Sequence, residues 1–176
     1  LELMGRYSNI ILTDGSGVII DCLRRIGSAA DEGRMVLPGL VYRLPEQTGK
    51  LDITASSDEQ LGVAIASADM DMTAEKAILG AFMGFSPLLC REIVFRAYGD
   101  TDFRMFEVVA RDRGRALLRE FEQFRDTLTS GGLAPYILRD KTGAPKDLTC
   151  IEIGQYGDKM KSEKLESFSA LLDEYY

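Results

Sequence analysis

Ile10-Ile11-Leu12-Thr13-Asp14-Gly15-Ser16-Gly17-Val18-Ile19-Ile20-Asp21-Cys22-Leu23 sets two apolar runs on either side of an Asp-Gly turn, which predicts a β-hairpin. Upstream, Leu1-Glu2-Leu3-Met4 reads as the interior of a strand, so the chain is expected to be a piece whose natural beginning has been removed. Downstream, Pro38-Gly39 and Pro45 punctuate a loop in which Leu40-Val41-Tyr42-Arg43-Leu44 is expected as a short edge strand. The period then changes. Ser57-Asp58-Glu59 predicts a helix start, with Leu61 and Ile65 at helical spacing. Asp71-Met72-Thr73 opens a second helix, with Asp71 read as its cap, and Gly84-Phe85-Ser86-Pro87 separates it from a third. A longer helix is expected from about Phe103 to Leu128, ended by Gly131-Gly132. Tyr136 to Arg139 and Leu148 to Ile153 return to β around Lys141-Thr142-Gly143. A closing helix, Ser167 to Tyr176, is expected to bury Phe168, Leu171 and Leu172. The order β, helices, β predicts an α+β fold: a β-rich domain from residues 1–52 and 130–176, with residues 53–129 as an inserted helical subdomain.

Composition removes several chemistries. The 176 residues contain no histidine, which excludes Ser-His-Asp and Cys-His catalysis and histidine metal sites within this chain. Cys22, Cys90 and Cys150 are widely spaced and odd in number, so neither a disulfide framework nor a CxxC metal pattern forms; reduced thiols and a cytoplasmic location are expected. No run of about eighteen apolar residues is present to span a bilayer. The net charge of −7 argues against strong nucleic-acid binding by this piece alone, since phosphate neutralisation needs a basic excess. Asp69 and Asp71 are too few oxygen ligands for a cation site, and Gly15-Ser16-Gly17 is read as a hairpin turn.

Three stretches could carry binding. Ala77 to Ala97 has the form of a helix-hairpin-helix, with Gly84 in the turn, Ser86 capping the next helix, Pro87 at its first position and Arg91 as the nearest cation. In nucleic-acid-binding versions the backbone N–H groups there hold a phosphate; the plainer alternative is an ordinary helical hairpin. Arg111-Asp112-Arg113-Gly114-Arg115, with Arg119 and Arg125, is interleaved with acids and reads as a solvated helix face carrying i,i+4 pairs. Gly5-Arg6-Tyr7-Ser8-Asn9 admits two readings, a polar site and a β-bulge at Gly5 whose Ser8 and Asn9 satisfy local backbone groups.

Glu2-Leu3-Met4-Gly5-Arg6-Tyr7-Ser8-Asn9-Ile10-Ile11-Leu12 resembles a motif of the bacterial NFACT family, of RqcH-like and fibronectin-binding-protein-A-like proteins. Leu37-Pro38-Gly39-Leu40-Val41-Tyr42, Gly84 to Ile93 and Ser167 to Tyr176 resemble further family segments in the same order, covering nearly the whole chain. The resemblance implies an incomplete β-rich domain like the N-terminal domain of formamidopyrimidine-DNA glycosylases, with a helix-hairpin-helix subdomain. It implies binding to the large ribosomal subunit and to tRNA or peptidyl-tRNA, in support of template-free tailing of stalled nascent chains. No enzyme activity, cofactor, metal or membrane attachment is expected. Arg6, Ser8, Asn9, Gly84, Ser86 and Arg91 are the RNA-binding candidates. The family's Asp-Arg pair would precede Leu1, and its coiled coil would follow Tyr176. The β domain is then short of strands, and the remainder of the chain or a homodimer partner is expected to cover its edge. The alternative is a fibronectin-binding surface adhesin. A nucleic-acid-processing enzyme is disfavoured by the absence of histidine and of a proline or amine nucleophile at a true N-terminus, and the glycosylase likeness implies no glycosylase activity, because fold does not fix function.

Overall fold

The computed structural model describes residues 1–3, 7–27, 34–45, 49–110 and 113–176. The chain divides into two compact units, Leu1–Thr48 and Gly49–Tyr176. The C-terminal β section therefore shares a unit with the helices, a different grouping from one that joins residues 1–52 with 130–176.

In the first unit, β1 (Ile11–Thr13) pairs antiparallel with β2 (Ile19–Cys22). The Asp14 carboxylate accepts the backbone N–H groups of Ser16 and Val18, and Gly17 takes the positive φ of 79° that closes the turn. Residues 39–42 run beside the hairpin: Ile19 N–H donates to Leu40, Gly39 to Ile19 and Tyr42 to Gly17. The expected strand at 40–44 reduces to the single bridge Val18–Val41. Ile19 and Val36 are buried, whereas Ile10, Leu12 and Leu23 stand exposed on one face of the hairpin.

Helices in the second unit begin where short side chains satisfy free N–H groups. Ser57 and Gln60 form a reciprocal capping box on α1 (Asp58–Ala66). Thr73, the residue two beyond Asp71, caps α2 (Ala74–Ala81), while the Asp69 carboxylate is spent on the Asp71 N–H. Ser86 caps α3 (Pro87–Tyr98), and Gly99 ends it at φ 77°. The single long helix expected from Phe103 to Leu128 is two: α4 (Met105–Ala110) and α5 (Gly114–Thr129). The Arg113 N–H reaches back to the Val108 carbonyl, closing a wider turn than an α-helix allows. None of the described helices is long and apolar enough to cross a membrane.

β3 (Tyr136–Asp140) lies between β4 (Pro145–Thr149) and β5 (Met160–Lys164), both antiparallel to it. α6 (Phe168–Tyr175), capped by Ser167, buries Leu171 alone; Phe168 and Leu172 are nearly half exposed. The core is a Phe82, Phe85, Phe121 and Phe124 cluster, with 4.8 Å between the Phe82 and Phe121 ring centres, and Leu138, Ile151 and Ile153 join it from the β section. Buried thiols sit here too. Burial pushes the Cys90 thiol up to about 12 and raises that of Cys150.

A buried carboxylate fastens the β section to the helices. Glu92, 1% exposed on α3, accepts the N–H groups of Gly154 and Gln155 at 3.0 Å and pairs with Arg96 at 2.8 Å. The Gln155 amide donates to the Leu88 carbonyl and the Arg96 guanidinium to the Glu152 carbonyl, so the strap 152–155 is held at four points. Glu92→Ala should destabilise the fold by about 2–3 kcal/mol, because it removes a buried acceptor that serves two backbone N–H groups and a guanidinium. Arg96→Ala should cost about 1 kcal/mol, since Arg96 reaches solvent; urea denaturation of both variants checks the order.

At the β3–β4 turn, hydrogen bonds from Thr142 and Lys146 hold the Asp140 carboxyl well below the usual carboxylate range. A lowered folded-state pKa means that this stabilisation is complete above about pH 4 and is lost as pH falls towards the lowered value. Urea midpoints between pH 5 and pH 2 (roughly the titration range) should therefore fall more steeply for the parent than for Asp140→Asn.

Candidate functional site

The polar stretch of the first unit folds back on itself. Glu2 and Asn9 form an antiparallel bridge, each N–H donating to the other's carbonyl. Asn9, 2% exposed, uses both ends of its amide on one residue: Nδ2 donates to the Arg24 carbonyl and Oδ1 accepts the Arg24 N–H, each at 2.9 Å. It therefore works as a clamp between two chain segments. Ser8 is half-buried and also engaged. Met4, Gly5 and Arg6 lie outside the described residues, as do Arg111 and Asp112.

Beside this bridge sits a group that the sequence reading missed. Glu2, 6% exposed, receives Arg34 Nη2 at 2.6 Å and the Tyr42 hydroxyl at 2.9 Å, both on Oε1. Arg34 also donates to the Arg43 carbonyl and lies over the Tyr42 ring, 5.8 Å from its centre. Burial, then the Glu2 carboxylate, raises the Tyr42 phenol above its ordinary value, so Tyr42 stays a proton donor. Glu2 Oε2 is buried with no hydrogen-bond partner among the described residues. A buried carboxylate oxygen is costly to leave open, and this one can accept a further donor. The only sequence signal was a Glu in an apolar strand, since Arg34 and Tyr42 come from distant positions.

In the second unit, α2 and α3 meet across Gly84, which takes φ 77°. The Ser86 hydroxyl is occupied by the Leu89 N–H. Arg91 is held by Glu75 at 2.9 Å and by the Tyr156 side chain, so its charge is largely answered within the protein. Gly84 and Ser86 share the turn, and Arg91 follows on the same helix. Ser8 and Asn9 belong to the other unit.

The model of the NFACT N-terminal and middle domains matches residues 1–176. A Bacillus subtilis protein named Rqc2 homolog RqcH is 38% identical over 98 residues, 55% of this chain and 17% of that protein. A Streptococcus suis protein of the same name is 29% identical across 100% of this chain and 26% of its own length. Among solved structures, the N-terminal part of the fibronectin/fibrinogen-binding protein of Streptococcus suis superposes with a TM-score of 0.67 at 25% identity, covering 99% of this chain and 54% of that one. The fibrinogen-binding protein of Staphylococcus aureus gives 0.70 at 25% identity, covering 99% and 57%. The chain thus spans about a quarter or less of these curated relatives and just over half of the solved chains.

Asn9→Ala should lower the stability of the first unit by about 2 kcal/mol, the loss of two hydrogen bonds to the Arg24 backbone, at roughly 1 kcal/mol each. Hydrogen exchange of the Arg24 amide checks it: faster exchange in the variant is expected, and unchanged protection would remove the clamp.

Proposed function

This chain belongs to the family of NFACT N-terminal and middle domains, and on that footing we propose that it is part of a ribosome-quality-control factor that binds the large ribosomal subunit and tRNA. The relatives' shared name, Rqc2 homolog RqcH, supports the reading at family level. The observation that carries the site is Glu2 Oε2, a buried acceptor with no partner among the described residues, in the same segment as Gly5-Arg6. An acceptor four residues from an arginine in sequence suits an RNA end, where hydroxyl or amine donors accompany a phosphate. The α2–α3 hairpin is proposed as a helix-hairpin-helix, offering its turn to a second phosphate. Ser8 and Asn9 order the first site, and Gly84 and Ser86 order the turn. The proposed work is recruitment and positioning in the cytoplasm, with no catalytic residue in this chain.

A fibronectin-binding adhesin is the second reading, favoured by the name of the Streptococcus suis neighbour, a fibronectin/fibrinogen-binding protein. Cell fractionation separates the two: the longer protein should follow ribosomal subunits, and recovery in the envelope would favour the adhesin. In the longer protein, Arg6→Ala should weaken tRNA binding roughly tenfold, the effect of about 1.4 kcal/mol, and make it less sensitive to salt. A variant that changes stability alone, with tRNA affinity intact, removes Arg6 from the site.

A further inference from the structure

The arginines of the second unit are almost all answered. Arg91, Arg96, Arg125 and Arg139 each meet a carboxylate. Arg104 donates to the Asp71 carbonyl, and Arg113 lies over the Phe103 ring at 5.3 Å. Two remain. Arg115 and Arg119 are exposed on α5, and neither has an ion pair among the described residues. Among the described residues the Arg119 guanidinium makes only a long 3.4 Å bond to the Arg115 carbonyl, and the Arg115 guanidinium makes none.

Their placement opposes helix stability. Residues four apart are neighbours on a helix, with about 5–6 Å between Cβ atoms, so the two cations repel. The first turn of α5 holds no acid and its last turn no base, so the helix dipole is opposed at the basic end and left uncompensated at the other. The i,i+4 acid–base pairs expected for this face are absent among the described residues; Glu122 and Asp126 repeat the like-charge spacing further along. A chain with 28 acidic and 21 basic residues has ample carboxylates to neutralise two arginines. Leaving adjacent guanidinia open on one face suits a polyanion outside the protein.

We propose that Arg115 and Arg119 form a phosphate-backbone contact for structured RNA, distinct from the α2–α3 turn and from the Glu2 segment. The inference rests on the RNA-binding reading above and names a further surface for it. Arginine forks take phosphate oxygens in pairs, and two long side chains leaving one helix face can reach neighbouring phosphates of a strand. An acidic protein segment is the competing occupant; the RNA-binding reading favours phosphate.

The test uses the 176-residue chain, fluorescently labelled tRNA and a salt titration. Arg115→Gln/Arg119→Gln should weaken binding about tenfold or more and reduce the magnitude of the log K against log salt slope by about 2, one counterion per lost contact. Its thermal midpoint should hold or rise, because like-charge repulsion is relieved. Lys161→Gln/Lys164→Gln removes the same charge from β5 and should leave the slope nearly unchanged. If the parent binds tRNA and the arginine variant matches it in affinity and slope, the Arg115–Arg119 contact is overturned while the general reading stands. An equal loss in the lysine variant also overturns it, as net charge alone would then explain the effect. Tighter binding of labelled poly-glutamate than of tRNA, lost in the arginine variant, assigns the patch to an acidic protein. Absence of tRNA binding by the parent at low salt overturns both proposals for this chain.

Discussion

A single buried carboxylate holds the second unit together. Glu92 would be costly to leave charged in an apolar interior, and the structure meets that cost with two backbone N–H groups and one guanidinium. The two backbone donors come from a strap about sixty residues away in sequence, while the guanidinium is that of Arg96 on the same helix. The strap lies between Ile151 and Ile153, which enter the helical core, and Tyr156, which lies against Arg91. One charge thus determines where the chain leaves the helices and begins the last strand. The β3–β4–β5 sheet depends on that anchoring, since its outer strands are short and largely polar.

Features set by neighbouring residues could be read from the sequence. Ser57 with Gln60, Ser86 with Pro87, and Ser167 each start a helix through bonds three residues long, so the chemistry is local. The Asp14 turn belongs to the same class. Features set by distant partners could not. β5 was missed because Met160-Lys161-Ser162-Glu163-Lys164 has no apolar alternation; it is an edge strand recognised by β3. The α4–α5 break was missed because Val109 and Leu117, eight residues apart, fit one continuous helix face, although Arg111 to Arg115 between them holds no apolar residue. In α6, the sequence cannot say which of Phe168, Leu171 and Leu172 faces a neighbour, and only Leu171 does.

The candidate sites divide in the same way. The segment around Asn9 was legible as polar, but its use was not: both amide ends are committed to Arg24. Glu2 looked like one more strand residue, because Arg34 and Tyr42 are brought to it only by folding. The arginine-rich run looked neutralised when charges were counted along the chain. In space, Arg125 crosses to Asp58 on α1, and the described acids near Arg115 and Arg119 do not pair with them. Composition had argued against nucleic-acid binding from a net charge of −7; a local patch is compatible with that balance because screening confines electrostatics to about 8–10 Å.

The three thiols have a practical consequence. Cys90 is fully buried with its thiol held at about 12, and Cys150 is also shifted towards the unreactive form by burial. Thiolate is the species that attacks maleimides and iodoacetamide. Cys22, half-exposed at the end of β2, is therefore the preferred site of attachment in the folded protein. A dye placed there reports on the first unit, Leu1–Thr48, and leaves the thiols of the second unit untouched.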